Sequence, residues 1–244
     1  SLTKLLPVSP AYFFDQLVSQ TQGSGTSDFA GAWKEKESKA ITAITNFFQE
    51  KRNGEFMMLN KVMKALPANS NLHLANSMSV RYANHVGLAA GQWGITVYCN
   101  RGTSGIDGCT STAVGHALTT DKPNVLITGD LAFFYDRNAF WHNYPLPNLF
   151  IVVLNNHGGI IFNLIDGPSS QPEAEEFFIT KQNLTARVLA TEFGFSYVDS
   201  DTVDLKTFFN AGQTVRILES DVTQVESKDI FNEFRKQIKK TYEA

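Results

Sequence analysis

Sulfur is scarce in this chain of 244 residues, which has two cysteines, Cys99 and Cys109. They stand at no metal-ligand spacing, which argues against a thiolate metal centre. We read them as reduced thiols and leave a disulfide between them as the lesser alternative. Basic residues are not in excess either. Lys and Arg number 21 against 24 Asp and Glu, a net charge of -3. That balance gives no electrostatic basis for binding nucleic acid. No apolar run approaches the ~20 residues needed to cross a bilayer. The opening stretch "SLTKLLPVSP" lacks the long apolar core of a secretory signal. Together these absences point to a cytoplasmic protein with no membrane span. There is no internal repeat, and the G-x-G-x-x-G turn of dinucleotide-binding folds does not follow the first strand-like run.

What is present divides at about residue 50. The stretch 19–31, "SQTQGSGTSDFAG", is polar and Gly/Ser-rich and reads as a linker. Helical spacing follows, with Ala32, Ala40, Ile44, Phe47 and Phe48 on one face, Asp28 as the expected N-cap and "NG" at 53–54 as the stop. A second helix, "EFMMLNKVMKALP", ends at Pro67. From about residue 70, apolar runs at 71–76, 95–100, 124–130, 149–156, 194–200 and 214–221 alternate with helical windows at 81–89, 107–119, 136–142, 184–193, 202–210 and 227–240. Strands that are apolar throughout and separated by helices imply an α/β fold, a mostly parallel sheet covered on both faces.

In such sheets ligands bind at the carboxyl ends of the strands. Four of these ends carry polar or small residues: "NSMSVRYAN", "RGTSGIDG", "GDLAFF" and "NNHGGIIF". Sheet geometry makes them neighbours, so we expect one shared site. Asp130 and Asn156 lie at two of these ends, separated by one helix and its turns. A carboxylate, an amide oxygen and a nearby backbone carbonyl suit a hard divalent cation such as Mg2+. Strand alternation turns only one of Asn155 and Asn156 toward the crevice, and Gly158 can present its carbonyl without a Cβ clash. Taken singly, each motif has a plainer reading: Asp130 would cap a helix beginning near 136, and the two Asn residues would form a turn.

Together, "GD", then 24 residues, then "NN" resembles the signature of thiamin-diphosphate enzymes. The resemblance implies that Asp130, Asn156 and the carbonyl of Gly158 hold Mg2+ (or Mn2+), which holds the cofactor's diphosphate. It also places Gly129, Leu131, Ala132, Gly159 and Asn76 beside the cofactor. "RGTSGIDG", with "NSMSVR" before it and "NNHGGIIF" after it, resembles one branch of that family, the menaquinone-pathway MenD enzymes, in order over roughly residues 50–244. The implied reaction decarboxylates 2-oxoglutarate and adds the resulting succinyl carbanion to isochorismate. Arg81 and Arg101 then suit the substrate carboxylates, because guanidinium groups clamp them bidentately. By the same resemblance Ser77 is expected to be a polar contact to substrate or cofactor, Ile106 matches the residue that wedges under the cofactor, and Ile161 and Phe162 look like the apolar wall, with ordinary core packing as the plainer alternative. Asp107 is expected to cap its helix rather than do chemistry.

The chain departs from the pattern at four positions. Ala132 stands where the family often has a hydroxyl residue, and Ser79 and Tyr82 stand where it often has Pro and Asp. His157 replaces a common Asn and is expected to be solvated. Trp33, Trp93 and Trp141 read as core or interface residues. No segment resembles the separate pyrimidine-binding domain whose Glu activates the cofactor. The expectation is therefore a C-terminal portion: residues 1–53 end a middle domain and supply a connecting helix, and residues 54–244 form the metal- and diphosphate-binding domain. The whole protein is expected to be a homodimer or homotetramer, and this portion alone to be inactive. Two other readings stay open. One is another thiamin-dependent 2-oxoacid decarboxylase or carboligase; the other is a non-catalytic Rossmann-like binding module.

Overall fold

A computed structural model describes residues 4–21, 28–50, 52–210 and 212–243. Six strands form one sheet: β1 (Asn71–Leu74), β2 (Thr96–Tyr98), β3 (Asn124–Gly129), β4 (Leu149–Asn155), β5 (Ser196–Asp199) and β6 (Arg216–Asp221). Their order is β2-β1-β3-β4-β6-β5, and every neighbouring pair is parallel. Each strand falls inside one of the apolar runs read from the sequence.

Alternation along the central strands builds two cores. In β4, Phe150, Val152 and Leu154 face one side and Leu149, Ile151 and Val153 the other. The first side packs against α3 (Glu55–Ala65), α4 (Met78–Val86), α8 (Leu205–Phe208) and α9 (Gln224–Glu243). The second packs against α5 (Cys109–Ala117), α6 (Asp130–Tyr135) and α7 (Ala186–Phe193). The doubly covered sheet explains why β3 and β4 are buried at nearly every position. The edge strand β2 departs from this rule: Thr96, Val97 and Tyr98 are all exposed.

The N-terminal region holds two helices, α1 (Pro10–Gln20) and α2 (Phe29–Phe47). We did not expect α1. Its start was legible, however, because Ser9 accepts from the Tyr12 amide and Pro10 follows at the first helical position. None of its residues is buried. It takes up Ser19 and Gln20 from the expected linker, of which residues 22–27 lie outside the described residues. Helix α2 docks on α9 through Phe47, which packs edge-on against Phe234 at 5.2 Å beside Phe56. Asp28 precedes α2 but makes no side-chain cap.

One further expectation is corrected in part. Of the core-or-interface reading of Trp33, Trp93 and Trp141, the core half fails, since they are 60%, 78% and 75% exposed. Both cysteines are free thiols. No helix among the described residues is long and apolar enough to cross a membrane.

The buried His73 on β1 lies 3.1 Å from His116 of α5 and stacks on Tyr98. Burial, and then the His116 charge, lower its pKa from 6.5 to about 4. A depressed histidine is neutral in the folded state, so its contribution is complete above 6.5 and is lost as pH falls toward 4. We therefore expect His73→Gln to narrow the difference in thermal midpoint between about pH 7 and pH 5. An unchanged difference would contradict this.

Candidate functional site

The chain goes from β1 outward to β2 and, from β3, in the opposite direction to β4. The gap between the carboxyl ends of β1 and β3 is therefore a topological switch point, where α/β sheets open a crevice. A cavity of about 340 Å³ sits there. Its walls come from the four strand-end inserts and from the start of α3. Every residue that the sequence marked for metal, cofactor or substrate lines this one cavity. The backbone is bent to make it: Ser77 has φ 74 and Ser104 φ 60, both unusual for residues with a Cβ.

Asp130 is the first residue of α6, directly after β3, and is 2% exposed. The helix thus starts at Asp130 itself. This corrects the expectation of a helix from 136, where only a 3-10 turn at Arg137–Phe140 follows. Burial raises the Asp130 pKa. Bonds from Gln182 Nε2 at 2.7 Å and from the amides of Leu131 and Gly158 oppose that rise.

Asn155 and Asn156 diverge as strand alternation requires. Asn155 is spent on structure: its Nδ2 donates to Glu219 and to the Leu184 carbonyl, and its Oδ1 accepts from the His157 amide and Gln182. Asn156 turns the other way. Its Nδ2 donates to Glu55 Oε2 at 2.8 Å, and its Oδ1 is buried with no hydrogen-bond partner among the described residues. A buried polar atom left unpaired costs about 1–3 kcal/mol, so it marks a place where a ligand belongs.

After Asn156 the chain must pass close to residues 178–179. A Cβ on Gly158 would meet the Ile179 carbonyl at 2.7 Å, and one on Gly159 would meet the Phe178 carbonyl at 2.8 Å. These glycines are required by close approach. The Gly158 carbonyl accepts from the Ile160 amide at 3.1 Å, which closes a turn at the cavity wall.

The facing wall belongs to the β1 and β2 ends. Asn76 ties this loop together: its Nδ2 donates to the carbonyls of Asn100 and Gly105, and its Oδ1 accepts from Arg101 at 3.2 Å. Arg81 donates to the Ser77 carbonyl at 2.7 Å. Both guanidinium groups stand at the exposed rim with no carboxylate partner among the described residues. Ile106 packs with Ala75, Cys109 and Ala132. Ile161 backs onto the core, and Phe162 packs on Phe178 at 5.5 Å.

Two local readings are revised. Asp107 makes no side-chain cap on α5; Asp136 does this, accepting from the amide and hydroxyl of Ser111. His157 is half-buried, with φ 63, and pairs with Asp221 at 2.8 Å outside the cavity. The residue missed altogether is Glu55. From sequence it is an ordinary acidic residue in a helix's first turn. In the fold it is 1% exposed and lines the cavity. Burial raises its pKa to about 7, against hydrogen bonds from Tyr82 and Asn156.

The site and fold define a class: a parallel α/β domain with an oxygen-rich acid–amide pair at its switch point. No family model matches the chain. It is 46% identical over 98% of its length to the 2-succinyl-5-enolpyruvyl-6-hydroxy-3-cyclohexene-1-carboxylate synthase of Cytophaga hutchinsonii. It is 35% identical over 98% to the enzyme of that name from Flavobacterium johnsoniae. The chain belongs to this synthase family. It spans 44% and 43% of those two relatives, less than half of each. Its fold is also similar to part of a solved benzoylformate decarboxylase from Polynucleobacter necessarius. That match has TM-score 0.56 and 16% identity and covers 70% of this chain and 33% of the other.

Proposed function

We propose that this chain is the metal- and diphosphate-holding portion of a thiamin-diphosphate-dependent synthase that condenses 2-oxoglutarate, with loss of CO2, with isochorismate. The reading rests on the family and, above all, on one observation: the buried, unpartnered Oδ1 of Asn156, a residue that lines the same cavity as Asp130. Residues 54–244 form the holding domain in this reading. Residues 1–53 close a preceding domain and supply the connecting helix. A cytoplasmic homodimer or homotetramer belongs to the same proposal.

The donor set fits the group. A carboxylate, an amide oxygen and a glycine carbonyl are hard oxygen ligands that leave coordination places for diphosphate oxygens, as Mg2+ or Mn2+ requires. Asp130, Asn156 and Gly158 would hold the ion, and Gly129, Leu131, Ala132 and Gly159 border the space for the diphosphate. When bound, thiamin diphosphate supplies the electron sink for decarboxylating a 2-oxo acid. The chain's own residues do the rest. Ile106 would pack against the cofactor, and Ile161 and Phe162 would form one apolar wall beside it. Ser77 and the two arginines receive the substrates, whose several carboxylates match two cationic forks.

Calorimetric titration of thiamin diphosphate into the full-length protein, with Mg2+ and then with EDTA, tests the reading. Binding that is at least about tenfold tighter with Mg2+ is expected. Equal affinities would overturn it. We further expect Arg81→Ala and Arg101→Ala each to lower kcat/KM by about tenfold or more while cofactor affinity barely changes. If both variants lose the cofactor instead, the arginines serve the diphosphate and not the substrates.

A further inference from the structure

Asn156 can offer a cation its oxygen only if its amide is held one way round. An amide flipped by half a turn would present Nδ2, a donor, to the cavity. The structure contains the group that decides this. Glu55, the first residue of α3, is separated from Asn156 by 101 positions in sequence yet accepts its Nδ2 at 2.8 Å. The second Glu55 oxygen accepts from the Tyr82 hydroxyl at 2.6 Å. Tyr82 is fully buried, its ring 4.9 Å from Phe56 and 5.0 Å from Phe231, so it has little freedom to move. In its ionised form a carboxylate accepts but does not donate, so ionised Glu55 tolerates only the Nδ2 edge of Asn156. The planar amide then points Oδ1 away from Glu55, where it is buried and unpartnered.

We propose that Glu55, anchored by Tyr82, is a positioning residue that fixes the Asn156 amide with its oxygen toward the metal. This rests on the reading of Asn156 as a metal ligand. Glu55 acts through Asn156 and touches neither the ion nor the substrates. Outer-shell partners of metal ligands commonly set the ligand's orientation, and their loss costs about 10- to 100-fold in metal affinity.

Two conservative substitutions separate aim from charge. Glu55→Gln removes the charge but keeps an oxygen at the same reach, so it still accepts from Asn156. Glu55→Asp keeps the charge but draws the carboxylate back by one methylene and abandons Asn156. Mn2+ is titrated into the full-length protein with thiamin diphosphate present, and unbound Mn2+ is read by electron paramagnetic resonance. We expect Glu55→Gln to bind Mn2+ within about fivefold of the parent, the scale of one altered neutral hydrogen bond. Glu55→Asp is expected to bind about 10- to 100-fold more weakly. The reverse order would show that charge, not aim, is what Glu55 supplies. Parent-like binding in both variants, or equal losses in both, would likewise overturn the proposal. Asp130→Ala runs beside them. If it abolishes Mn2+ binding while Glu55→Asp does not weaken it, the role of Glu55 fails alone. If Asp130→Ala leaves Mn2+ binding intact, the metal-site reading itself fails.

Discussion

Asp130→Ala in the full-length protein is expected to abolish Mg2+-dependent binding of thiamin diphosphate, a loss of more than about 100-fold. Asp130 is the only carboxylate among the proposed ligands, and it supplies most of the charge that a divalent cation needs to give up water. The fold should survive. Asp130 is buried at a cost that raises its pKa, and what it returns to the structure is three accepted hydrogen bonds from Gln182, Leu131 and Gly158. Leaving those donors unpaired costs about 1–3 kcal/mol each at most, and the enlarged cavity lets water reach them. Asp130→Asn makes the comparison cleaner, because it keeps the shape and one acceptor oxygen while removing the charge. We expect it to fold like the parent and still lose most metal-dependent binding, by calorimetry. Undiminished cofactor affinity in either variant would remove Asp130 from the site.

The second large effect concerns the 244 residues taken alone. We expect no synthase turnover from them with isochorismate, 2-oxoglutarate, thiamin diphosphate and Mg2+. The cavity has one set of walls, from the ends of β1 to β4 and the start of α3. Ile106, Ile161 and Phe162 remain only half-buried, so water reaches the place where the reacting carbon would sit. Charge development in a wet site is screened, and the electrostatic advantage of a closed site is lost. Among the described residues, the two carboxylates that line the cavity are already engaged: Asp130 with the metal in our reading, and Glu55 with Tyr82 and Asn156. Turnover at the rate of a full-length relative would show that this chain suffices, and the division of labour proposed above would be wrong.

Much of this architecture was legible because its signals are local. β3 and β4 announce themselves as "NVLITG" and "LFIVVLN", apolar on both faces because both faces are covered. The switch-point rule then directs attention to the residues just after each strand, and that was enough to bring Asp130, Asn156 and both arginines to one cavity. What was not legible depends on distance or on small geometric choices. Glu55 reaches Asn156 across 101 positions, and no local pattern separates it from a solvated first-turn acid. Asp136 caps α5 from 25 residues away, in place of the nearer Asp107. The start of α6 was misplaced because "GDLAFFYD" carries no cap signal before Asp130, and Gly129 makes no side-chain bond there. The core half of the tryptophan reading rested on residue type alone, although large aromatics stay at the surface when no local core forms beneath them.

The most direct test of the central claim is a crystal structure of the full-length protein with thiamin diphosphate and Mn2+, using anomalous scattering to locate the ion. The account predicts one anomalous peak in the cavity, with Asp130 Oδ, Asn156 Oδ1 and the Gly158 carbonyl among its oxygen ligands at about 2.0–2.3 Å, and the diphosphate completing the shell. An ordered cofactor whose metal lies elsewhere, or an Asn156 amide that turns its nitrogen to the ion, would contradict it.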